Sequence, residues 1–341
     1  MARRLSSKLT LPGLEVPLGL EPMEAEARDE LPTGPQWMYE PKYDGFRCVA
    51  FRAEDAVRLQ SRTGRPLDRY FPEVVDCLLS LPTRRFVIDS ELVILGQPFD
   101  VLQLRLHPAA SRVARLALEH PATLLAFDLL AASDGRSLLG EPFAARRQAL
   151  EELFGTNRTG AQIQVSRTTR SAATARRWIG KSGLDGVVAK RLDRQYRPGK
   201  RAMVKFKVWR SVDCVVGGLY LRPSGRAVDF LLLGLYDDEG KLNYVGRAGA
   251  GEHAEEMAEV LEPLFGGEGF TGRAPAGVSR WSAKARRIVP LRPVVVAEVS
   301  ADHIEGGRFR HGSRLIRFRD DKDPSDCTMD QVKRSQPEDI R

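Results

Sequence analysis

Three kinds of residue in this chain are spaced so that they could act together. They are a lysine that could serve as a nucleophile, alternating cations that could hold phosphate, and carboxylates that could hold a metal. Lys42 stands in the string Glu40-Pro41-Lys42-Tyr43-Asp44-Gly45-Phe46-Arg47. A free lysine is protonated near neutrality and becomes nucleophilic only where desolvation or neighbouring cations favour its neutral form. Tyr43 and Phe46 offer apolar cover and Arg47 a cation, and Asp44-Gly45 reads as a tight turn presenting Lys42 from the end of a strand. Alone the string is weak. Lys-x-Asp-Gly should arise by chance in roughly one chain in ten of this length, and a surface lysine before a hairpin turn has the same look.

The cations and carboxylates lie further along. Lys205 and Lys207 alternate in Met203-Val204-Lys205-Phe206-Lys207-Val208, so on a strand both project from one face while Val204, Phe206 and Val208 pack on the other. Two ammonium groups on one face repel unless a polyanion lies between them; a solvated edge strand would carry the same pattern. Arg62, in Ser61-Arg62-Thr63-Gly64, offers a guanidinium whose planar fork suits phosphate or ribose oxygens. Glu91 in Asp89-Ser90-Glu91 and Asp185 in Leu184-Asp185-Gly186 supply hard oxygen donors of the kind a divalent cation takes. From Arg308 to Lys322 the chain carries six Lys or Arg against two Asp.

Short strands must position these groups. Residues 38–40, 47–52 and 57–60 read as strands separated by turns, and Tyr70 to Ser80 has helical spacing. Residues 86–89 and 92–95 read as a strand, an interruption at Ser90-Glu91, and a second strand. Helical stretches are expected near 99–106, 111–119, 143–153 and 172–180, with a buried strand at 122–130 and strands at 187–190 and 203–208. That is a mixed α+β pattern. Beyond about 208 the texture changes to spaced strands with Gly-rich turns (214–218, 230–236, 242–246 and 294–299) and one clear helix, 253–265. Five or so strands and one helix in this length suit a small OB-type barrel. The boundary is expected at Trp209–Val212. Residues 1–35, with five prolines, read as an extended strap.

Bulk properties narrow the class. The chain has 341 residues, 42% hydrophobic and 29% charged, long enough for two folded domains. No run approaches the ~20 apolar residues of a membrane-spanning helix, and the start lacks the apolar core of a signal peptide, so a cytosolic setting is expected. Four scattered cysteines without a C-x-x-C pair exclude a zinc module or disulfide framework and read as buried apolar side chains. Lys plus Arg exceed Asp plus Glu by 53 to 45, a net charge of +8 that favours a polyanionic partner.

Taken together and in order, these strings resemble the motifs of the covalent nucleotidyltransferases, the superfamily of ATP-dependent DNA ligases, RNA ligases and mRNA capping enzymes. Glu40 to Arg47 resembles motif I, Ser61 to Gly64 motif Ia, and Asp89-Ser90-Glu91 motif III, with Ser90 where the family has glycine. Phe127, in Ala126-Phe127-Asp128, resembles the aromatic of motif IIIa. Leu184 to Lys190 resembles motif IV with Asp185 in place of glutamate, Tyr196 to Lys207 leads into motif V, and Arg310 to Lys322 resembles motif VI. His107-Pro108-Ala109, residues 126–130 and Asp213 to Gly218 narrow the likeness to short bacterial DNA ligases of the C type, kin of the ligase module in bacterial end-joining ligases.

The resemblance implies an adenylation domain over 36–208, built of antiparallel sheets with flanking helices, and an OB-fold domain over 209–341. It implies an ATP-dependent DNA ligase that uses Mg²⁺ or Mn²⁺. Lys42 would be the nucleophile that takes AMP. Glu40, Arg47, Arg62, Glu91, Phe127, Arg201, Lys205 and Lys207 would bind the nucleotide, Phe127 by stacking on adenine and the two lysines at the α-phosphate. Glu91 and Asp185 would serve the metal, although aspartate is one methylene shorter than the usual glutamate. Arg314, Arg317, Arg319, Asp321 and Lys322 would orient the pyrophosphate. Nicked duplex DNA is the expected partner, along with other DNA-repair proteins, for a monomer working in the bacterial cytoplasm at the nucleoid with no membrane contact. An RNA ligase of the same superfamily, or a DNA-binding OB protein with a dead nucleotide pocket, are the alternatives; intact Lys42, Lys205, Lys207 and Glu91 argue against the second.

Overall fold

The computed structural model describes residues 9–155, 162–179, 184–207, 210–251, 254–275, 288–301, 304–309 and 312–333, with the side chains of Asp185, Arg210, Glu305 and Lys333 outside that description. The chain divides into two compact units, Met1–Lys207 and Val208–Arg341. In the first, the elements in order are β1 (Glu24–Arg28), β2 (Trp37–Tyr43), β3 (Phe46–Ala53), β4 (Ala56–Ser61), α1 (Pro72–Ser80), β5 (Arg85–Val93), α2 (Phe99–Gln103), α3 (Ala110–Glu119), β6 (Thr123–Ala131), α4 (Phe143–Phe154), β7 (Ile163–Val165), α5 (Ala172–Arg176), β8 (Leu184–Arg191) and β9 (Arg201–Phe206).

These strands form two sheets, of order β1-β9-β8-β2 and β4-β3-β5-β6-β7. Period-2 alternation explains how they stack. In β3, Cys48 and Ala50 join a core with Phe71, Val74 and Leu78 around α1 and Leu150 and Phe154 of α4. The odd-numbered Val49, Phe51 and Ala53 turn the other way and pack with Leu14, Val16, Leu20, Met23, Tyr196 and Met203. The second sheet is therefore buried on both faces, and its inner face looks at the first sheet. A third cluster, with Tyr39, Trp178, Val187, Ala189 and Val204, covers the outer face of the first sheet.

Three expectations change. Residues 85–93 form one continuous strand, because Asp89 and Glu91 point inward to polar partners while Ser90 turns the other way and is buried. The Ser90 hydroxyl satisfies itself by donating to the Cys48 carbonyl at 2.5 Å. The N-terminal strap, read only as extended, also supplies four residues of a core, and its β1 pairs in parallel with β9. The helix expected over 99–106 is present but shorter, the five residues Phe99–Gln103. All four cysteines are free and buried, as their scatter predicts.

The second unit runs β10 (Arg210–Leu221), β11 (Val228–Tyr236), β12 (Leu242–Gly249), α6 (Ala254–Leu261), β13 (Ile288–Pro290), β14 (Val296–Ala301), β15 (Ile304–Glu305), β16 (Arg308–Phe309), β17 (Ser313–Arg319) and α7 (Asp330–Lys333). Antiparallel pairs β10–β11, β11–β12, β14–β17 and β10–β14, with β12 parallel to β17, close a five-stranded barrel. Its core is apolar throughout, and Ala254, Met257, Ala258 and Leu261 of α6 pack into it. This is an OB-type barrel with its helix between the third and fourth barrel strands. No helix among the described residues is long and apolar enough to cross a membrane.

Candidate active site

Lys42 is the penultimate residue of β2 in the first sheet, and Arg47 is the second residue of β3 in the second. Asp44-Gly45 therefore does more than turn the chain. It carries the backbone from one sheet to the other, so Lys42 and Arg47 stand on opposite walls of the space between them. The passage is tight: a Cβ on Gly45 would lie 2.1 Å from the Leu92 carbonyl oxygen of β5, which leaves room for glycine alone.

The first wall is set by strand register. Met38, Glu40 and Lys42 share one face of β2, and Glu40 lies across from Val188, which in turn lies across from Lys205. Between the pairs Pro41–Val187 and Tyr43–Leu184 the register slips, so Lys42 stands opposite Asp185-Gly186. Gly186 absorbs the slip with φ +131°, and a Cβ there would meet the Phe206 carbonyl oxygen at 2.2 Å. Lys205 shares its face of β9 with Met203, which packs between the sheets, while Val204 and Phe206 pack behind. Lys207 follows at the end of that strand. The side chain of Asp185 lies outside the described residues.

The second wall carries Arg47, Asp89, Glu91 and Phe127. Arg47 pairs with Glu91 across β3 and β5. Its guanidinium grips Asp89 through Nε and Nη2 at 2.5 and 2.6 Å and donates to the Met23 carbonyl at 3.1 Å. Tyr196 donates its hydroxyl to Asp89 at 2.6 Å and accepts from the Met23 amide at 2.9 Å. Burial disfavours the Arg47 charge, but the Asp89 carboxylate and its hydrogen bonds more than offset this, so the guanidinium is held charged. Glu91 has its carboxyl group pushed up to about 7 by burial, against the opposing pull of Arg47 and Lys42. Phe127 is the extra residue of a bulge: Asp89 pairs with Asp128 and Ser90 with Ala126. Bulges re-aim side chains, and here the ring lies 4.6 Å from the Arg47 guanidinium carbon.

Three contributors carry no motif signal strong enough to single them out. Lys190 of β8 bonds Glu40 at 2.8 Å, and Arg147 of α4 stands 3.7 Å from the same carboxylate. Tyr196 braces Asp89. Lys190 follows two valines in alternation, which marks a strand but not which face is functional. Arg147 reads as one of many arginines on a helix.

Other expected residues lie elsewhere. Ser61 pairs with Cys48, so Arg62 stands one residue on at the sheet edge, level with Arg47 and exposed. Arg201 begins β9, four residues from Lys205, with its side chain 73% exposed and its ion-pair partner Glu24 at 3.8 Å. The structure does not bring it to the other groups.

In the second unit, Arg314, Arg317 and Arg319 lie on β17, and Arg310 and His311 fall outside the described residues. Arg319 grips Asp321 at 2.6 and 2.8 Å and reaches Asp213 at 3.3 Å; Lys322 bonds the same Asp213 at 2.8 Å. The hydrogen bond from Arg319 holds Asp321 down at about 2. Arg317 pairs with Glu298 at 2.7 Å. Arg314 borders a pocket with Gly249, Gly251, Met257 and Ile316.

A divalent metal needs a donor set that fits. Among the described residues no group of three or more His, Cys, Asp or Glu converges into a protein-only cage. Mg²⁺ brought in with nucleotide phosphates needs only one or two carboxylates. Glu91, whose carboxyl group is costly to ionise without a further cation, fits that requirement, and the Asp185 backbone stands opposite Lys42.

Both units match known families. Residues 22–207 match the model of the ATP dependent DNA ligase domain, and residues 224–322 that of the ATP dependent DNA ligase C terminal region. The chain is 44% identical to DNA ligase C1 of Mycolicibacterium smegmatis, covering 92% of this chain and 93% of that protein. It is 42% identical to DNA ligase C of Mycobacterium tuberculosis, covering 92% and 94%. A solved Lig E DNA ligase, 15% identical with a TM-score of 0.56, covers 87% of this chain and 99% of its own and shares the fold. With two matched domains and relatives of this identity along nearly its whole length, the chain belongs to the ATP-dependent DNA ligases, enzymes that use ATP and a divalent metal, and within them to the short C-type group.

Proposed function

We propose that Lys42 is the residue that becomes joined to AMP and that the two facing sheets form the nucleotide site around it. The observation that carries this is the crossing at Asp44-Gly45, which sets Lys42 on one wall against Arg47 and Glu91 on the other. The neutral Lys42 amine attacks the α-phosphorus of ATP; an N–P bond forms, the bond to pyrophosphate breaks, and the displaced proton goes to solvent or to the leaving pyrophosphate. AMP then passes to the 5′-phosphate at a nick, freeing the lysine. The 3′-hydroxyl attacks that activated phosphate, and AMP leaves. Storage on lysine splits one difficult displacement into steps with lower barriers.

Each step gathers negative charge on non-bridging oxygens, which preorganised cations stabilise without reorganising. Lys205 and Lys207 supply such charge at the α-phosphate, and Arg62 at the sheet edge reaches phosphate or ribose oxygens. Arg47, held rigid by Asp89, presents a fixed guanidinium to the ribose side, and Phe127 offers a ring for the base. Arg314, Arg317, Arg319, Asp321 and Lys322 orient the pyrophosphate. Glu91 and Asp185 would hold the metal, which lowers the charge on the phosphate oxygens.

Burial leaves Glu40 with Oε2 on Lys190 and Oε1 without a hydrogen-bond partner, an acceptor suited to the adenine amino group. Duplex DNA is gripped through its phosphates by the basic surface that the net charge of +8 provides. The finer assignments are a monomer acting in DNA repair in the bacterial cytoplasm, helped onto nicks by a repair partner. Light scattering that gives one chain's mass, and nick affinity that rises with a repair protein, test them.

Sealing assays separate the roles. Lys42→Ala should fail to seal a nick with ATP yet still seal a nick whose 5′ end already carries AMP. A variant that seals with ATP at the wild-type rate would remove Lys42 from the mechanism.

A further inference from the structure

Lys190 makes no contact that the reaction steps above require, yet it is buried and held by several groups. Its ammonium is 2.8 Å from Glu40 Oε2, donates to the Phe127 carbonyl at 3.3 Å, and stands 4.4 Å from the Phe127 ring centroid and 4.8 Å from that of Phe143. Lys190 and Glu40 are each only 3% exposed. A buried pair of this kind gives little stability of its own, because desolvation offsets its Coulomb attraction. Its effect on Glu40 is more specific: burial pushes the Glu40 carboxyl group up, and Lys190 gives the largest pull in the other direction.

Glu40 has two carboxylate oxygens and two cations beside it, of which only Lys190 is within hydrogen-bond reach. Oε2 is taken by Lys190, while Oε1 is buried without a hydrogen-bond partner and lies 3.7 Å from Arg147. A buried acceptor left empty costs free energy in the protein alone. Such an atom, on the face of β2 that also bears Lys42 two residues away, awaits a donor from a ligand. An ionised carboxylate can only accept, whereas a protonated one can also donate. Adenine presents an amino donor at C6, and guanine presents a carbonyl acceptor there. Which purine fits depends on the charge of Glu40.

We infer that Lys190 is a specificity-determining positioning residue. By pairing with Oε2 it keeps Glu40 ionised and turns Oε1 into an acceptor-only reader of the purine 6-position, so that ATP is taken and GTP refused. The inference rests on the proposed nucleotide site and adds to it the origin of base choice. Lys190 also ties that reader to Phe127, so the groups that would read the base edge and cover its face share one ammonium. Removing the cation would leave Glu40 buried with Arg147, 3.7 Å away and not hydrogen-bonded, as its remaining cation; protonation then becomes easier, and the neutral acid can donate to a 6-carbonyl.

The test compares covalent labelling of the full-length protein by ATP and by GTP, each labelled at the α-phosphate, at equal concentrations. Wild type should favour ATP by at least about 100-fold, as expected of a buried polar site that discriminates by an unpaired group. Lys190→Met, and Lys190→Gln as a second variant that keeps a donor to Glu40 without its charge, should narrow the ratio at least tenfold, with labelling by GTP rising in absolute terms. Lys190→Arg should restore the wild-type ratio. If the neutral variants lose ATP and GTP labelling in equal proportion, Lys190 is only a packing residue and the inference fails. Glu40→Gln separates the two levels. A ratio unchanged in that variant removes Glu40 as the base reader. A ratio changed there but not in either Lys190 variant overturns the role of Lys190 alone.

Discussion

The carboxyl group of Glu91 lies where burial and cations pull in opposite directions. Burial wins, raising it from an ordinary value near 4.5 to about 7 in the nucleotide-free protein. An acid whose folded value exceeds its unfolded value holds its proton longer when folded, so its penalty is absent below about 4.5 and complete above about 7. Across that window wild type should lose stability that Glu91→Gln does not lose. The difference in unfolding free energy between the two should shift toward the variant by about 1–3 kcal/mol, read from denaturant melts at pH 4.5 and pH 7.5. A difference that stays flat with pH would mean that folding does not raise the Glu91 carboxyl group. In the metal role proposed for Glu91, a positive charge beside it would restore its ionised form, so adding Mg²⁺ with ATP should abolish the pH-dependent difference.

At the scale of elements, the site depends on a backbone crossing at Gly45 that only glycine permits. Gly45→Ala forces a Cβ against the Leu92 carbonyl and should destabilise the protein by about 2–4 kcal/mol. Gly140→Ala, at a position with nothing within 4 Å, should stay within about 0.5 kcal/mol of wild type. Equal melting temperatures for the two variants would contradict the tight crossing. Most of the elements were legible in the sequence, because alternation in residues such as Val49, Phe51 and Val204 reports a strand and which way it faces. What alternation cannot report is which sheet a strand joins. β2 and β3 are neighbours in sequence and look like a hairpin, yet they belong to different sheets. The Asp89-Ser90-Glu91 segment misled for a related reason: polar residues inside an apolar strand read as a break when their partners, Arg47 and Tyr196, lie far along the chain. Lys42, Arg47 and Glu91 could be picked out by their strings. Lys190 and Tyr196 could not, since their roles exist only through contacts with Glu40 and Asp89.

For the whole molecule, the role proposed for the arginines and Lys322 of the barrel is to orient the pyrophosphate in the first step. In the barrel itself, Lys322 and Arg319 share Asp213, which fixes the two cations side by side. Lys322→Ala should slow transfer of AMP to the enzyme at least tenfold while changing the sealing of an already adenylylated nick by less than about threefold, because pyrophosphate is present only in the first step. Equal loss in both assays would make Lys322 a general DNA or folding contact. The net charge of +8 belongs to this scale too. It steers a polyanion to the protein but says nothing of chemistry, which is why composition alone pointed to nucleic acid without naming a reaction.

The central claim is that Lys42 carries the AMP, and peptide mapping by mass spectrometry after incubation with ATP and Mg²⁺ tests it most directly. The account predicts one adenylyl group per chain, on the peptide containing Lys42, released by acid as expected for an N–P bond and missing from Lys42→Ala. An adenylyl group on another residue, or its persistence in Lys42→Ala, would contradict the account.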